Sequence, residues 1–163
     1  MNSTTKTSSI SNPEAGGTER AQTFSVRLAD WSRDKTSLSH VRYEVFVIEQ
    51  SVPIELELDE WDERSIHVLA QSGDGQVIGT GRLLPDGRIG RMAVLQTHRQ
   101  DGVGAAMLRL LLETAQTRGL TEVSLHAQIS ATGFYEKFGF VAEGDVFLDA
   151  GIEHRTMRLK LPA

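Results

Sequence analysis

The chain has 163 residues, 39% hydrophobic and 24% charged, with a formal net charge of −5 and no cysteine. That length suits one domain with a real core. The acidic balance argues against a nucleic-acid partner, and the missing thiols exclude disulfides, thiolate metal sites and a cysteine nucleophile.

No apolar run approaches the roughly 18 residues of a membrane span, and the first residues lack the apolar segment of a secretory signal. A cytoplasmic protein without a membrane partner is expected. Residues 1–22 are rich in Ser, Thr, Asn and Gly around a lone Ile10. They offer too little apolar surface to offset their ordering entropy, so the reading is a disordered tail followed by one domain over residues 23–163.

Residues 24–28 alternate apolar and polar side chains, the period of a strand. Asp34 or Ser37 is placed to cap a helix reaching about Gln50, with Leu38, Val41, Val45, Phe46 and Ile48 among its apolar positions. Pro53 stops it. Residues 55–63 form a dense acidic segment. Residues 66–70 and 77–84 read as an antiparallel pair joined at Gly73-Asp74-Gly75, and Pro85-Asp86-Gly87 turns into a third strand over 88–94.

A helix follows from about Gly102 to Arg118, apolar at 103, 107, 110 and 111, with Gly119 just past its end. Residues 122–127 form the next strand. A strand, a helix and a strand in succession make a crossover, so strands 88–94 and 122–127 are expected to run parallel. A short helix over 131–138 ends at Gly139, and a strand starts at Phe140. Gly144, Asp149 and Gly151 mark turns, and residues 154–161 form the last strand. The order is β-α-β-β-β-α-β-α-β-β, a mixed α/β domain without internal repeats.

Residues 91–112 carry the strongest functional signal. A strand ends, a polar turn follows, two glycines appear and an apolar helix begins. Free N–H groups and the positive end of the helix dipole meet there, which suits a phosphate-bearing ligand.

Two motifs then carry a family resemblance. Arg99-x-x-Gly102-x-Gly104 fits the pattern [Gln/Arg]-x-x-Gly-x-[Gly/Ala], and Phe134-Tyr135-Glu136-Lys137-Phe138-Gly139-Phe140 is similar to a Phe-Tyr-Glu-Lys-x-Gly-Phe segment. Both resemble the GCN5-related N-acetyltransferases (GNAT). Residues 42–50, Leu125-His126-Ala127-Gln128 and Gly151-Ile152-x-His154 look like the ElaA/YjcF branch. The resemblance spans residues 24–161. It implies a GNAT-like fold, a mixed and mostly antiparallel sheet flanked by helices, with acyl-CoA seated where two parallel strands splay.

The resemblance also implies roles. Arg99, Gln100, Asp101, Gly102, Val103 and Gly104 would form the pyrophosphate loop of acetyl-CoA, with the glycines allowing close backbone approach. Gln100 replaces a glycine common in relatives. Asp101 brings a negative charge to the phosphates, and is also a candidate helix cap. A bulge at Met92, Ala93 and Val94 would present backbone groups to the pantetheine arm and to an oxyanion. Gln128, Phe134 and Tyr135 would complete the acyl-CoA contacts. Gln128 also reads as a helix cap, and Tyr135 as either the general acid or a core aromatic.

For the base, His126 is the candidate, with Glu49, His67, His154 or a water relay as rivals, because the strand before the loop carries Arg88 and Arg91 and no carboxylate. The acidic segment reads either as a solvated loop or as an attractor for a cationic amine, with Trp61 covering the cleft or packed on the core. The expected activity is direct transfer of acetyl from acetyl-CoA to a primary amine of a small acceptor in a ternary complex. No metal is expected, and a homodimer is left open. The other reading is a non-catalytic acyl-CoA-binding module. An ATP loop fails for want of the Gly-Lys-[Ser/Thr] ending.

Overall fold

The computed structural model describes residues 6–10 and 22–162. Strands β1 (Lys6–Ile10), β2 (Gln22–Ala29), β3 (Ile66–Ser72), β4 (Val77–Leu83), β5 (Arg88–Val94), β6 (Glu122–Gln128), β7 (Val141–Asp149) and β8 (Ile152–Lys160) form one sheet. Their spatial order is β1-β2-β3-β4-β5-β6-β8-β7. Neighbours run antiparallel except β5 and β6, which are parallel as the crossover requires. Strand β1 pairs with β2 inside the stretch read from sequence as a disordered tail, while residues 1–5 and 11–21 of that reading lie outside the described residues.

Helices α1 (Trp31–Arg42), α2 (Ile54–Glu57), α3 (Val103–Thr117) and α4 (Thr132–Glu136) complete the frame. Helix α3 buries Val103, Ala106, Met107, Leu110, Leu111 and Ala115. That stripe repeats at three- and four-residue steps and packs on Val26, Val68, Ile78, Ile89, Val123, Leu125 and Met157 of the sheet. The opposite sheet face takes α1 and its continuation, where Val41 and Val45 pack on Ala93. Among the described residues no helix is long and apolar enough to cross a membrane.

The first helix starts earlier than its sequence suggests. Asp30, not Asp34 or Ser37, is the cap, accepting from Ser32 N at 2.9 Å. Asp34 instead binds both Nη atoms of Arg27 at 3.0 Å. After Arg42 the helix widens into a π-helical segment, Tyr43–Glu49, in which Gln50 N donates to Val45 O, five residues back, at 3.2 Å.

Strand β7 also departs from expectation. Gly144 is not a turn but a break in register between Glu143 and Phe147, with φ +73°, and β7 runs on to Asp149. Ala150 and Gly151, both at positive φ, make the hairpin turn.

Candidate active site

Strands β5 and β6 open the cleft. Among the described residues they pair only at Arg88–Ser124 and Ile89–Leu125, and then diverge. On its other side β5 keeps its pairing with β4, but the register slips between Thr80–Ala93 and Arg82–Gly90. Arg91 and Met92 together oppose Gly81, one residue more than β4 supplies, and Arg91 takes φ +51°. The bulge therefore begins one residue ahead of the expected Met92–Val94 stretch. Ala93 is buried against α1, and the Val94 carbonyl accepts from Arg99 Nε at 3.0 Å.

A cavity of about 260 Å³ fills the divergence, lined by residues that include Gly90, Met92, His126, Gln128, Tyr135 and His154. A second lobe of about 250 Å³ shares Phe46, Arg82, Arg88, Arg91, Gln128, Asp149 and His154 with it, and reaches toward Leu56 and Asp59. A Cβ built on Gly90 would meet nothing within 4 Å, so the bare strand leaves the space open.

The loop Gln96–Gly102 leads from β5 into α3. Gln100 and Gly102 adopt φ +69° and +85°, and Gly102 is the residue that caps α3. The cap position is held by Gly102, which has no side chain to close it. The first-turn N–H groups of α3 have no intrahelical acceptors and point back along the helix axis. A Cβ on Gly104 would approach Phe134 Cζ at 3.6 Å, an ordinary contact, which agrees with a motif position that admits Gly or Ala. Arg99 is not turned to this end. Its Nη2 donates to Glu49 Oε1 at 2.7 Å.

Tyr135 on α4 stands edge-on to Phe134 and Phe140 at 5.0 and 5.8 Å between centroids. Its burial pushes the phenol up to about 12, so it keeps its proton throughout the neutral range. His126 lies on the sheet face away from α3, edge-on to Phe147 at 5.1 Å. Burial, then the Arg88 and His154 charges, hold its imidazole below the ordinary value against a pull from Asp149. A neutral ring is what a proton acceptor needs.

His154, 8% exposed, stacks on the same Phe147 ring. Its Nδ1 lies 2.6 Å from the Ile152 carbonyl, which can only accept, so Nδ1 carries the proton and Nε2 is the bare nitrogen of the neutral ring. His67 is elsewhere, buried beneath Trp31 with its Nε2 donating to Asp62 O at 2.7 Å. Gln128 Nε2 donates to Gln50 Oε1 at 2.9 Å, joining the tip of β6 to the end of the π-helical segment instead of capping a helix.

The acidic segment is neither a solvated loop nor a free anionic patch. Arg42, 1% exposed, binds the Glu57 carboxylate through Nε and Asp62 Oδ1 through Nη1 at 2.7 Å. Arg82, 3% exposed, binds Asp59 Oδ1 and Oδ2 at 2.7 Å each and Asp62 Oδ1 at 2.8 Å. Arg91 reaches the carbonyls of Glu57 and Leu56 at 3.2 Å and Asp59 Oδ2 at 3.4 Å. Burial works against the charge of Asp62, but hydrogen bonds from Arg42 and the charges of Arg42 and Arg82 hold its carboxyl below the usual range. Glu55, Glu60 and Glu63 face water. Trp61 does not line the cleft; Arg64 sits over its ring at 5.3 Å.

Sequence reasoning missed these arginines as cleft residues. A charged residue in the middle of the apolar strand 77–84 was the available signal, because a buried charge requires a partner. Among the described residues no group of His, Asp and Glu is arranged to hold a metal ion.

Comparison with known proteins agrees with this architecture. An acetyltransferase (GNAT) domain matches residues 28–161. The chain is 41% identical to the uncharacterized N-acetyltransferase YjcF of Bacillus subtilis over 122 residues, covering 72% of this chain and 86% of that protein. Among solved structures, Escherichia coli ElaA superposes with a TM-score of 0.74 at 27% identity, over 82% of this chain and 97% of ElaA. An acyl-CoA N-acyltransferase from Pseudomonas aeruginosa gives 0.70 at 29% identity, over 84% and 98%.

Proposed function

Starting from a chain that belongs to the GNAT acetyltransferase family, we propose that it moves an acetyl group from acetyl-CoA to a primary amine of a small acceptor. Transfer is direct, within a ternary complex, since the sequence holds no cysteine to carry an acyl group. One observation carries the reading: the β5–β6 divergence forms a cavity lined by both Tyr135 and His126. The start of α3 follows β5 through the loop, and Phe134 beside Tyr135 lies close to Gly104 in its first turn.

The pyrophosphate would sit on the amides that open α3, at Gly102, Val103 and Gly104. The loop residues Gln100 and Asp101 flank it. Met92 and the bulge would face the pantetheine arm, with Gln128 and Phe134 beside it. His126 takes a proton from the amine, whose nitrogen forms the new N–C bond at the thioester carbonyl. The C–S bond breaks, and Tyr135 gives its proton to the departing thiolate. His154, whose Nε2 would be the accepting nitrogen of a neutral ring in the same cavity, is the alternative acceptor of the amine proton.

Steady-state release of CoA thiol across amines, amino sugars, amino acids and peptides tests this. Tight CoA binding with no transfer to any of them would instead establish a non-catalytic acyl-CoA-binding module. The absence of a carboxylate on β5 is the feature that favours that second reading.

A further inference from the structure

Most charges in and behind the cavity walls are paired. Arg42, Arg82 and Arg91 are matched by Glu57, Asp59 and Asp62, three cations against three carboxylates. Arg88 stands outside this set. It lines both lobes, is half-buried, and has no ion-pair partner among the described residues. Ile89 packs into the α3 core and Leu125 does too, so by strand alternation Arg88 and His126 share the opposite face of the sheet. The crowding is felt nearby: burial, then Arg82 and Arg42, hold the Arg91 guanidinium below its ordinary value.

The carboxylates already paired to arginines leave no acceptor for a second cation, which disfavours polyamines and multiply charged amino sugars. The pairing leaves one guanidinium to be satisfied by a ligand. Asp149, exposed and without an ion pair among the described residues, lines the same lobes. Among the described residues, this unpaired cation and this unpaired anion therefore bound a space of small-molecule size. A zwitterion matches that pair. A phosphate, with a charge of about −1.5 to −2, would be opposed by Asp149.

We propose that the acceptor is a small amine that also bears a carboxylate, an amino acid or a compound built like one, and that Arg88 holds its carboxylate. A guanidinium meets a carboxylate through two parallel N–H···O bonds, and this fixes the far end of the acceptor while its amine lies toward His126. The inference rests on the transferase reading for its chemistry, but carboxylate recognition itself requires no turnover.

The experiment uses matched pairs with the full chain and acetyl-CoA: an amino acid against the amine left by its decarboxylation, and against the corresponding aminoalkyl phosphate. Aliphatic, aromatic and ω-amino members are included. Thiol release gives kcat/KM, and calorimetry with CoA-saturated protein gives binding independently. At least one pair should favour the carboxylate by about tenfold to a hundredfold, the worth of a charge-assisted contact. Arg88→Gln should reduce that ratio to near one, and Arg88→Lys should restore part of it.

Preferential binding lost in Arg88→Gln, with no transfer, would support the carboxylate site and remove the transferase reading. Equal use of the paired compounds, a preference for the phosphate, or an equal loss on both members in Arg88→Gln would overturn the inference and leave transfer intact. No binding and no transfer for any pair would overturn both.

Discussion

Glu49 Oε1 and Arg99 Nη2 meet at 2.7 Å, tying the end of the π-helical segment to the loop that precedes α3. Both side chains are partly exposed, so the pair adds little to stability. Its effect is electrostatic: the one arginine of the glycine motif has its charge opposed by a neighbour. Glu49→Gln should lower KM for acetyl-CoA about two- to fivefold, more at low salt, with an almost unchanged thermal midpoint. A higher KM would show that Glu49 helps to shape the loop instead of competing with the phosphates.

Tyr135 offers a cleaner separation of binding from chemistry. The phenol is in an apolar setting that raises its proton affinity. Tyr135→Phe should reduce kcat by about a hundredfold or more while acetyl-CoA binding changes little. In the wild type, ionisation of Tyr135 should not depress kcat as pH passes the ordinary phenol value of 10.0, because the group titrates at about 12. Unchanged turnover in the variant would remove its role as acid.

The titration of His126 reports the charges around it. Arg88 and His154 disfavour its imidazolium and Asp149 favours it, on top of the larger effect of burial. Arg88→Gln should therefore raise its pKa toward the ordinary 6.5, and Asp149→Asn should lower it further. Ring-proton shifts of His126 measured against pH would reveal both directions. If His126 is the base, the acidic limb of kcat/KM moves with them.

The buried arginine cluster governs stability. Asp62 accepts from Arg42 and Arg82 together, so Asp62→Asn leaves both short of countercharge and should cost about 3–5 kcal/mol in denaturant unfolding. The folded-state pKa values of Asp59 and Asp62 are depressed. Their contribution is thus present above the unfolded carboxyl value of about 3.9, and is lost as pH falls through the lower folded values. Acid unfolding should begin below about pH 4, and Asp62→Asn should flatten that dependence.

The element order and the family-level fold were legible in the sequence; the long-range side-chain contacts were not. The run from β5 through Gly102 into α3 is readable because strand, turn and helix signals are adjacent there, and the Gly102 backbone does take the left-handed form. The parallel crossover comes from the same stretch. The acidic segment misleads because its partners lie 15 to 35 residues away, in α1, β4 and β5. The early helix start is hidden by two aspartates that both suit a cap, and Arg27, on the preceding strand, decides between them. Gly144 resembles a turn because a register break and a turn ask the same positive φ of a glycine. Arg88 escapes assignment because a charge without a partner has no signature in one dimension.

The widened turn at Tyr43–Glu49 has a consequence for how this chain can vary in length. Each residue of a regular helix advances about 100° around its axis. If the segment returned to ordinary α geometry with all its residues kept, its two flanks would turn relative to each other by about that angle. With α1 fixed on the sheet, Glu49 would swing away from Arg99 and Gln50 from Gln128, two contacts that anchor the segment across the cleft. The widened turn therefore keeps Glu49 and Gln50 in phase with their partners, and a one-residue deletion that closed it to an α turn would disturb these contacts less than a deletion elsewhere in the helix.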